Sequence, residues 1–343
     1  MTLPISMAAE PQEVGVVGAT GAVGTEVIGV LAKRGFPVSK LRLFGSERSA
    51  GKTVSTPLGD VVVEAFSVET ARTTDVLFLC VDGDFAKAHG EALSAPGGPL
   101  VIDNSSAFRM NPKVPLIIPE INAGAGKGHR LIANPNCTTA ILLMALAPLV
   151  KLLGIRRAIV STYQAASGAG APGMQELEEG LKAKIEGKPV ENKVFAHPLP
   201  YNVIPHIDVF QDNGYTKEEM KVVLETRKIF GLQDLAVSCT AVRIPTLRAH
   251  SEAITIETEK PVTPAEALET LRGAPGVRVV DDVASNQYPM PLTATGQYEV
   301  EVGRLRKNDV FGDNGIDMFI CGDQLLRGAA LNAVLIAEAL QAA

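Results

Sequence analysis

Over the first 135 residues, short apolar runs alternate with segments of helical character. The run at residues 14–17 predicts a strand, and it is followed by the glycine-rich stretch GATGAVG and the helical segment TEVIGVLAKRG. Strands that alternate with helices favour a parallel sheet with helices on both faces. We therefore predict a doubly wound α/β domain at residues 14–135, preceded by a loose tail at residues 1–13. Further strands of this domain are predicted at residues 41–44, 61–65, 76–80 and 100–103.

After Pro135 the pattern changes to longer, alternating β segments, predicted at residues 158–164, 236–245 and 251–258. The last two are expected to pair with each other through the connection TLRAH. An irregular region, from SGAGAPG to NVIPHIDVF, separates them from the first and contains the charged helical segment ELEEGLKAKIEG. This pattern predicts a mixed sheet in an α+β domain over residues 136–323.

Two apolar segments are predicted to be helices. Residues 140–153 contain Pro148 and Lys151, and the segment is shorter than the roughly 20 residues that a membrane span needs. A buried core helix is therefore expected there. The alanine-rich segment at residues 324–343 is apolar on more than one face, so it is predicted to be a long helix that packs back against the first domain.

Composition and charge narrow the classes of partner. The chain has 343 residues, which suggests two domains, and its net charge of −6 comes without any run of basic residues. A nucleic-acid or anionic-membrane partner is therefore not expected. The four cysteines have no zinc-like spacing with the five histidines, so we expect reduced thiols, a cytoplasmic location and no metal site. The first basic residue is Lys33, so no cationic leader is expected, and Met7 is an alternative start.

The stretch GATGAVG, from Gly18 to Gly24, follows a predicted strand and opens a predicted helix, which is the context of a dinucleotide fingerprint. Glycines let the backbone approach a pyrophosphate, and the helix N-terminus offers free N–H groups to it. The spacing is GxxGxxG rather than GxGxxG. A glycine-rich turn that serves packing alone is the alternative interpretation.

The end of the second predicted strand bears on which dinucleotide is bound. An NAD site usually places an acidic side chain there against the ribose 2′-hydroxyl. This chain has FGSERSAGK instead, in which Ser46, Arg48 and Ser49 flank Glu47 and are suited to a 2′-phosphate. The pattern favours NADP over NAD.

The stretch NPNCTTA places Cys137 at the predicted start of a helix. Unpaired N–H groups and the positive end of the helix dipole favour a thiolate there, which is the nucleophilic form. The usual alternative, a cysteine that acts as a small buried hydrophobe, suits Cys80, Cys239 and Cys321 better. A nucleophilic thiol also needs a proton acceptor.

Five histidines are candidates for that acceptor. His250 follows the β-rich stretch SCTAVRIPTLRA, where a strand would hold its ring firmly, and His206 lies in the loop-like NVIPHID. Chemistry alone favours His250 over His206 only modestly, so both remain candidates at this point.

Taken together, the motifs resemble those of the bacterial aspartate-semialdehyde dehydrogenases. The resemblance extends from Val14 to the end of the chain. It rests on several stretches in order: GATGAVG, GSERSAGK, DNSSAFRM, NPNCTTA, TYQAASGAG, EEMK, VRIPTLRAHSE and GDQLLRGAALNA. It implies a Rossmann-type NADP-binding first domain and a second domain that carries catalysis and dimerisation.

The resemblance also implies a role for each residue that matches a family motif. Cys137 would be the acyl-thioester nucleophile, His250 the general acid/base, and Gln164 the residue that orients the substrate. The remaining roles are carboxylate and ammonium binding by Arg243 and Glu218, phosphate binding by Arg109 and Lys221, and NADP contacts by Gly18, Thr20, Gly21, Ala22, Val23, Ser46, Arg48, Ser49, Ser167, Gly168 and Gln324. The motif EEMKVVLETRK alone would equally suit a plain amphipathic helix with charge pairs.

The implied activity is the NADP-dependent, reversible conversion of 4-aspartyl phosphate to L-aspartate 4-semialdehyde, in lysine, methionine and threonine biosynthesis. His250 would take the thiol proton as Cys137 attacks the aldehyde. The implied assembly is a homodimer, with a tetramer as the larger form. The alternatives are another acyl-phosphate reductase, such as the N-acetyl-glutamyl-phosphate type, and a non-catalytic NADP-binding protein. The stretch VDGDFAK at residues 81–87 departs from the family pattern and gives no site residue.

Overall fold

The computed structural model describes residues 10–341 and divides the chain into two units. The first unit comprises residues 10–136 and 329–341, and the second unit is Cys137–Gly328. The proposed tail and the alternative start at Met7 fall mainly on residues outside the described part. The predicted tail extends too far, however, because Gln12 and Glu13 already belong to the first strand.

The first unit is built on a seven-stranded sheet with the order β3-β4-β2-β1-β5-β6-β7. Every neighbouring pair is parallel except β3 with β4, which is antiparallel. The order runs outward from β1 in both directions, as in a doubly wound sheet, and confirms the predicted fold class. The strands are β1 Gln12–Val17, β2 Val38–Gly45, β3 Thr53–Thr56, β4 Gly59–Ala65, β5 Val76–Leu79, β6 Leu100–Asp103 and β7 Leu131–Ala133.

Helices of the first unit include the C-terminal one, α10, which packs beside α1. Arg34 on α1 makes a two-point ion pair with Glu338 on α10, with both N–O distances at 2.7 Å. Asn332 donates to the Ile117 carbonyl at 2.9 Å, which ties the start of α10 to the same unit. The helices are α1 Ala22–Arg34, α2 Val68–Ala71, α3 Gly83–Leu93, α4 Pro119–Asn122 and α10 Leu331–Gln341.

The C-terminal helix is shorter than the sequence suggested. The segment Leu326–Ala330 forms a π-helical turn, and α10 begins only at Leu331. Gln324 to Gly328 cluster with the second unit, so the chain returns to the first unit at Ala329.

The second unit contains a six-stranded sheet with the order β11-β12-β13-β10-β8-β9. The pairs β8–β9 and β11–β12 are parallel and the others antiparallel, which confirms the predicted mixed sheet. The strands are β8 Ile155–Gln164, β9 Ala236–Arg243, β10 His250–Thr258, β11 Val277–Val279, β12 Val300–Lys307 and β13 Gly315–Gly322. The helices are α5 Cys137–Leu153, α6 Gly170–Ile185, α7 Lys217–Phe230, α8 Pro264–Arg272 and α9 Pro291–Ala294.

The expected pairing of β9 with β10 is wrong. Strand β8 lies between them, with Tyr163 opposite Ser251 on one side and Val242 on the other. The connection between β9 and β10 contains Pro245, which lacks an N–H, and Ala249, whose φ is 69°. This connection crosses β8 instead of closing a hairpin, and the ends of β8 and β9 and the start of β10 lie side by side.

Helix α5 is apolar around its whole circumference, and eleven of its residues are buried. This confirms the predicted core helix. Among the described residues, no helix combines the length and apolar character needed to cross a membrane.

Candidate active site

The glycine loop of the first unit is compact because two glycines have backbone close by. Gly18 has a φ of 79°, and a Cβ there would lie 2.3 Å from the Cys80 carbonyl oxygen. A Cβ on Gly24 would lie 2.4 Å from the Gly18 oxygen. Gly21 is the N-cap of α1 and offers no side-chain cap, so the first N–H groups of this 13-residue helix remain available to an anion.

The loop after β2 lies at the same edge of the sheet, since β1 and β2 are parallel neighbours. Ser46 and Arg48 are exposed, Ser49 is half-buried, and the Ser49 N–H bonds to the Ser46 carbonyl at 2.8 Å. Thr20 is exposed, and Ala22 and Val23 are half-buried. These residues fit a dinucleotide, with the pyrophosphate at the α1 N-terminus and a polar, cationic turn for the adenosine ribose.

Arg109 is a buried side chain of the first unit, with 8% of its surface exposed. Its Nε donates to the Asn134 carbonyl at 2.8 Å and its Nη2 donates to the Asn104 carbonyl at 2.9 Å. These two hydrogen bonds make Arg109 a fixed guanidinium, not a mobile surface charge.

The stretch VDGDFAK at residues 81–87, which departs from the family pattern, contains the start of α3. Asp82 is the N-cap of this helix and accepts from the N–H groups of Asp84 and Phe85.

Cys137 is the first residue of α5 in the second unit and is half-buried. A Cβ on Gly328 would lie 2.6 Å from the Cys137 Cβ, so the chain passes directly against the thiol-bearing residue. Burial raises the pKa of Cys80 and of Cys321 to about 12. Those two thiols therefore stay protonated at neutral pH.

His250 is fully buried at the start of β10. The Ala165 N–H donates to its Nδ1 at 3.1 Å, so the neutral ring carries its hydrogen on Nε2. Burial, and then the charge of Arg243, lowers the pKa of His250 to about 3. The rival His206 instead stacks on Phe210 in an irregular segment, with ring centroids 4.5 Å apart.

Gln164 ends β8 beside His250, and its amide Nε2 is 3.4 Å from the His250 Nε2. The same amide nitrogen donates to Glu218 at 3.3 Å, and the Thr162 hydroxyl donates to the amide oxygen at 3.1 Å. The amide is therefore held with its N–H groups toward the histidine. Since the His250 Nε2 also carries a hydrogen, two donors face one another and can share an acceptor placed between them.

Glu218 and Lys221 lie in the first turns of α7. Glu219 completes the capping box with Thr216, whereas Glu218, 5% exposed, faces Gln164. The Lys221 Nζ bonds to Glu218 at 3.0 Å and to Asp208 at 2.8 Å. Burial alone would lower the pKa of Lys221, but these two carboxylates raise it, so the ammonium stays charged.

Arg243 ends β9 and is 6% exposed. Its Nη1 donates to the Ala165 carbonyl. Burial lowers the pKa of Arg243, while the charges of Glu218 and Cys137 act in the opposite direction. The guanidinium and the thiol are thus close enough to influence each other.

Three residues expected to contact a dinucleotide lie around these groups in the second unit. Gln324 donates to the Ser167 hydroxyl and accepts from the Ala249 N–H at 2.9 Å, so its amide braces the residue before His250. A Cβ on Gly168 would lie 2.7 Å from the Arg243 Nη1 and 3.3 Å from the His250 Nε2. Only a glycine leaves room for both side chains.

Sequence reasoning missed three contributors to this site. Ala165 acts through its backbone N–H and carbonyl, which leaves no trace in the sequence. Thr162 fixes the Gln164 amide, and its signal is the i, i+2 spacing on one strand face. Asp208 pairs with Lys221 from an irregular segment, where no periodic sequence pattern could indicate its role. Within residues 10–341, no three metal-ligand side chains are grouped to hold a metal ion.

The comparisons with known proteins agree with this geometry. Residues 13–129 match the NAD-binding domain of semialdehyde dehydrogenases, and residues 146–327 match their dimerisation domain. The first unit is therefore a nicotinamide-dinucleotide-binding unit, and the second is of an oligomer-forming type.

Relatives match over nearly the whole chain. The aspartate-semialdehyde dehydrogenase of Synechocystis is 45% identical over 331 residues, which cover 96% of this chain and 97% of that one. That of Aquifex aeolicus is 46% identical over 332 residues, covering 95% and 97%. The structure of aspartate-semialdehyde dehydrogenase II from Vibrio cholerae, complexed with ASA, is 37% identical with a TM-score of 0.92, covering 97% of this chain and 98% of that one. The chain therefore belongs to the aspartate-semialdehyde dehydrogenase family.

Proposed function

We propose that this chain catalyses the reversible oxidation of L-aspartate 4-semialdehyde to 4-aspartyl phosphate, with NADP⁺ and phosphate, through an acyl thioester on Cys137. The observation that carries this proposal is the convergence of four side chains at one end of the mixed sheet and on α7. They are Gln164, Glu218, Arg243 and His250, and all four are at least nine-tenths buried. In the cell the enzyme runs mainly in the reductive direction, toward lysine, diaminopimelate, methionine and threonine.

The amino-acid end of the substrate is assigned to the two charged members of the group. The Arg243 fork suits the α-carboxylate, because guanidinium and carboxylate form paired hydrogen bonds. The Glu218 carboxylate suits the α-ammonium group, and its bond to Gln164 keeps it aligned with the reacting end. Two buried charges of opposite sign are therefore proposed to match the two charges of a free amino acid.

The aldehyde oxygen is assigned to the two donors that face each other. The Gln164 amide and the His250 Nε2–H, 3.4 Å apart, would both donate to an oxygen on which negative charge develops. Taking the thiol proton at Nε2, the step expected from the resemblance, would require the other tautomer and the loss of the Ala165 bond. The resting geometry therefore favours His250 as a donor to the substrate oxygen.

Cys137 supplies the nucleophile in this scheme. Its thiolate adds to the aldehyde carbon, the C=O electron pair moves onto the oxygen, and a covalent thiohemiacetal anion forms, with its oxygen held by the Gln164 and His250 donors. A nicotinamide dinucleotide held at this site would supply the hydride acceptor for this carbon, and the oxygen electron pair would then re-form the C=O bond of a thioester.

Phosphate then attacks the resulting thioester, the C–S bond breaks, and the thiolate is restored. Arg109 and Lys221 are proposed to bind that phosphate. The Lys221 ammonium donates to Asp208 and to Glu218, and its third N–H is proposed to donate to the phosphate.

NADP is proposed over NAD because of the turn after β2. Exposed Arg48, with Ser46 and Ser49, offers a cation and hydroxyls to a 2′-phosphate. The pyrophosphate would lie against Gly18, Thr20, Gly21, Ala22 and Val23, and the nicotinamide end would meet Ser167, Gly168 and Gln324.

Assembly as a homodimer, with a tetramer as the larger form, and a cytoplasmic location complete the proposal. The boundaries proposed for the functional domains remain residues 14–135 for dinucleotide binding and 136–323 for catalysis. An N-acetyl-glutamyl-phosphate substrate is disfavoured, because its acylated nitrogen carries no positive charge to match the buried Glu218 carboxylate.

The cofactor assignment is tested by following reduced-cofactor absorbance with semialdehyde and phosphate, using NADP⁺ and NAD⁺ in parallel. We expect Arg48→Ala to raise the KM for NADP⁺ about tenfold and to leave that for NAD⁺ unchanged, as loss of one charged hydrogen bond implies. Lys52→Ala, which removes an exposed cation a few residues further along, is the matched control. Equal effects of Arg48→Ala on both cofactors would contradict the 2′-phosphate role.

A further inference from the structure

One carboxylate fixes the irregular segment that follows α6. Glu176 on α6 accepts from three consecutive backbone N–H groups, those of Lys193 and Val194 at 2.6 Å and that of Phe195 at 3.1 Å. Burial alone would raise the pKa of Glu176, but these bonds and the charge of Lys193 lower it. The ionised carboxylate therefore sets the backbone at residues 193–195.

The side chain held in place by this contact is Phe195. Its ring packs against the helix, where a Cβ on Gly173 would lie 3.1 Å from the ring Cζ. The guanidinium carbon of Arg243 lies over the ring, 5.6 Å from the ring centroid. This is the distance of a cation–π contact. The ring also packs on a buried cluster formed by Ala166, Leu177, Leu199 and Ile204.

Arg243 needs this second support because its hydrogen bond to the Ala165 carbonyl fixes one nitrogen of the fork. A guanidinium anchored at one nitrogen can still rotate about that bond. An aromatic ring against its face restricts the plane, so that the remaining N–H groups point in a constant direction.

We propose that Glu176 and Phe195 are positioning residues that hold the Arg243 guanidinium in the orientation that binds the substrate carboxylate. This inference rests on the proposed role of Arg243. It adds a segment distant in sequence, residues 176 and 193–195, to the determinants of substrate specificity. Neither residue touches the reacting atoms, so their effect should appear in substrate affinity and not in the chemical step.

Steady-state kinetics of three variants test the proposal. We expect Glu176→Ala to raise the KM for semialdehyde about five- to thirtyfold, the range of a desolvated cation–π contact. The values of kcat and of the KM for phosphate should change little. Phe195→Leu, which keeps an apolar side chain but removes the π face, should act in the same direction. Glu176→Gln should be intermediate, because its amide oxygen still accepts part of the N–H bonds.

Two further variants separate this proposal from the one on which it rests. Glu178→Ala removes an exposed carboxylate from the same helix and should leave every constant unchanged. If Arg243→Ala does not raise the semialdehyde KM, the carboxylate role of Arg243 is wrong. If Arg243→Ala raises it but Glu176→Ala and Phe195→Leu do not, the positioning inference is overturned while the role of Arg243 stands. A lower kcat together with higher KM values for all substrates, as general disruption of the protein would produce, also contradicts the positioning inference.

Discussion

The proposed sites of the two units differ in the groups that form them, which are mainly backbone in the first unit and side chains in the second. In the first unit, the proposed dinucleotide site consists mainly of backbone at one sheet edge, with glycines that admit close contact. In the second unit, the site consists of side chains from the ends of three strands and from α7. A backbone site depends on one contiguous stretch, whereas a side-chain site depends on topology that brings distant stretches together.

The largest effect is expected from removing the proposed nucleophile of the second unit, which should abolish nearly all turnover but leave dinucleotide binding by the first unit intact. Cys137→Ser should lower kcat by at least about a thousandfold, as removal of a nucleophile does, while NADP affinity stays unchanged. Cys80→Ser is the control, because the thiol of Cys80, with its pKa raised to about 12, is not nucleophilic at neutral pH. Turnover that survives Cys137→Ser would remove the nucleophile from the scheme. Turnover and dinucleotide titration by fluorescence measure the two properties.

A smaller effect is expected from the converse change, which disturbs backbone in the first unit. Gly18→Ala places a Cβ against the Cys80 carbonyl at a φ of 79°, and strain of this kind costs about 1–3 kcal/mol. We expect a lower melting temperature and weaker NADP binding, with an unchanged rate of Cys137 alkylation. Gly29→Ala, in the middle of α1 with no atom near its Cβ, should instead stabilise the protein by about 0.5–1 kcal/mol. Equal behaviour of the two variants would refute the close-contact argument.

A third effect, which appears only below neutral pH, concerns the buried His250. Its pKa is about 3 when folded and near 6.5 when unfolded, so between these values the unfolded chain binds more protons. Stability therefore rises with pH across this window and is lost as pH falls, by at most about 1.4 kcal/mol per pH unit. His250→Asn keeps an acceptor for the Ala165 N–H and should flatten this dependence. Buried Glu252, whose raised pKa works in the opposite sense, is common to both proteins. Parallel stability profiles of the two proteins, measured by denaturant unfolding, would disprove a neutral buried histidine.

The same contrast explains what the sequence could predict. The parallel sheet, the glycine loop and the apolar helix α5 follow from local period and composition. The strands β3, β7 and β11 are only three or four residues long, and the pairing of β12 shifts register between Gly303 and Arg306. Helix α6 begins at Gly170, within a stretch that looked like a loop. The predicted pairing of β9 with β10 was wrong because β8 lies between them in the sheet, although it ends more than 70 residues before β9 begins.

The candidate site residues were identified mainly by resemblance to the family motifs, because no local sequence pattern connects Gln164, Glu218, Arg243 and His250. Once the fold brings them together, burial and hydrogen bonding define their surroundings. The contributions of Ala165 and Phe195 could not be predicted, because one acts through its backbone and the other depends on a carboxylate 19 residues earlier.

The return of α10 to the first unit has a consequence for biosynthesis. Residues 10–136 leave the ribosome early, but their partner helix Leu331–Gln341 is made only after the whole second unit. Until residues 331–341 are made, Arg34 cannot pair with Glu338, and the surface that α10 covers stays exposed. The first unit therefore reaches its final structure only after residues 331–341 have been made, so a product that terminates before them cannot complete this unit.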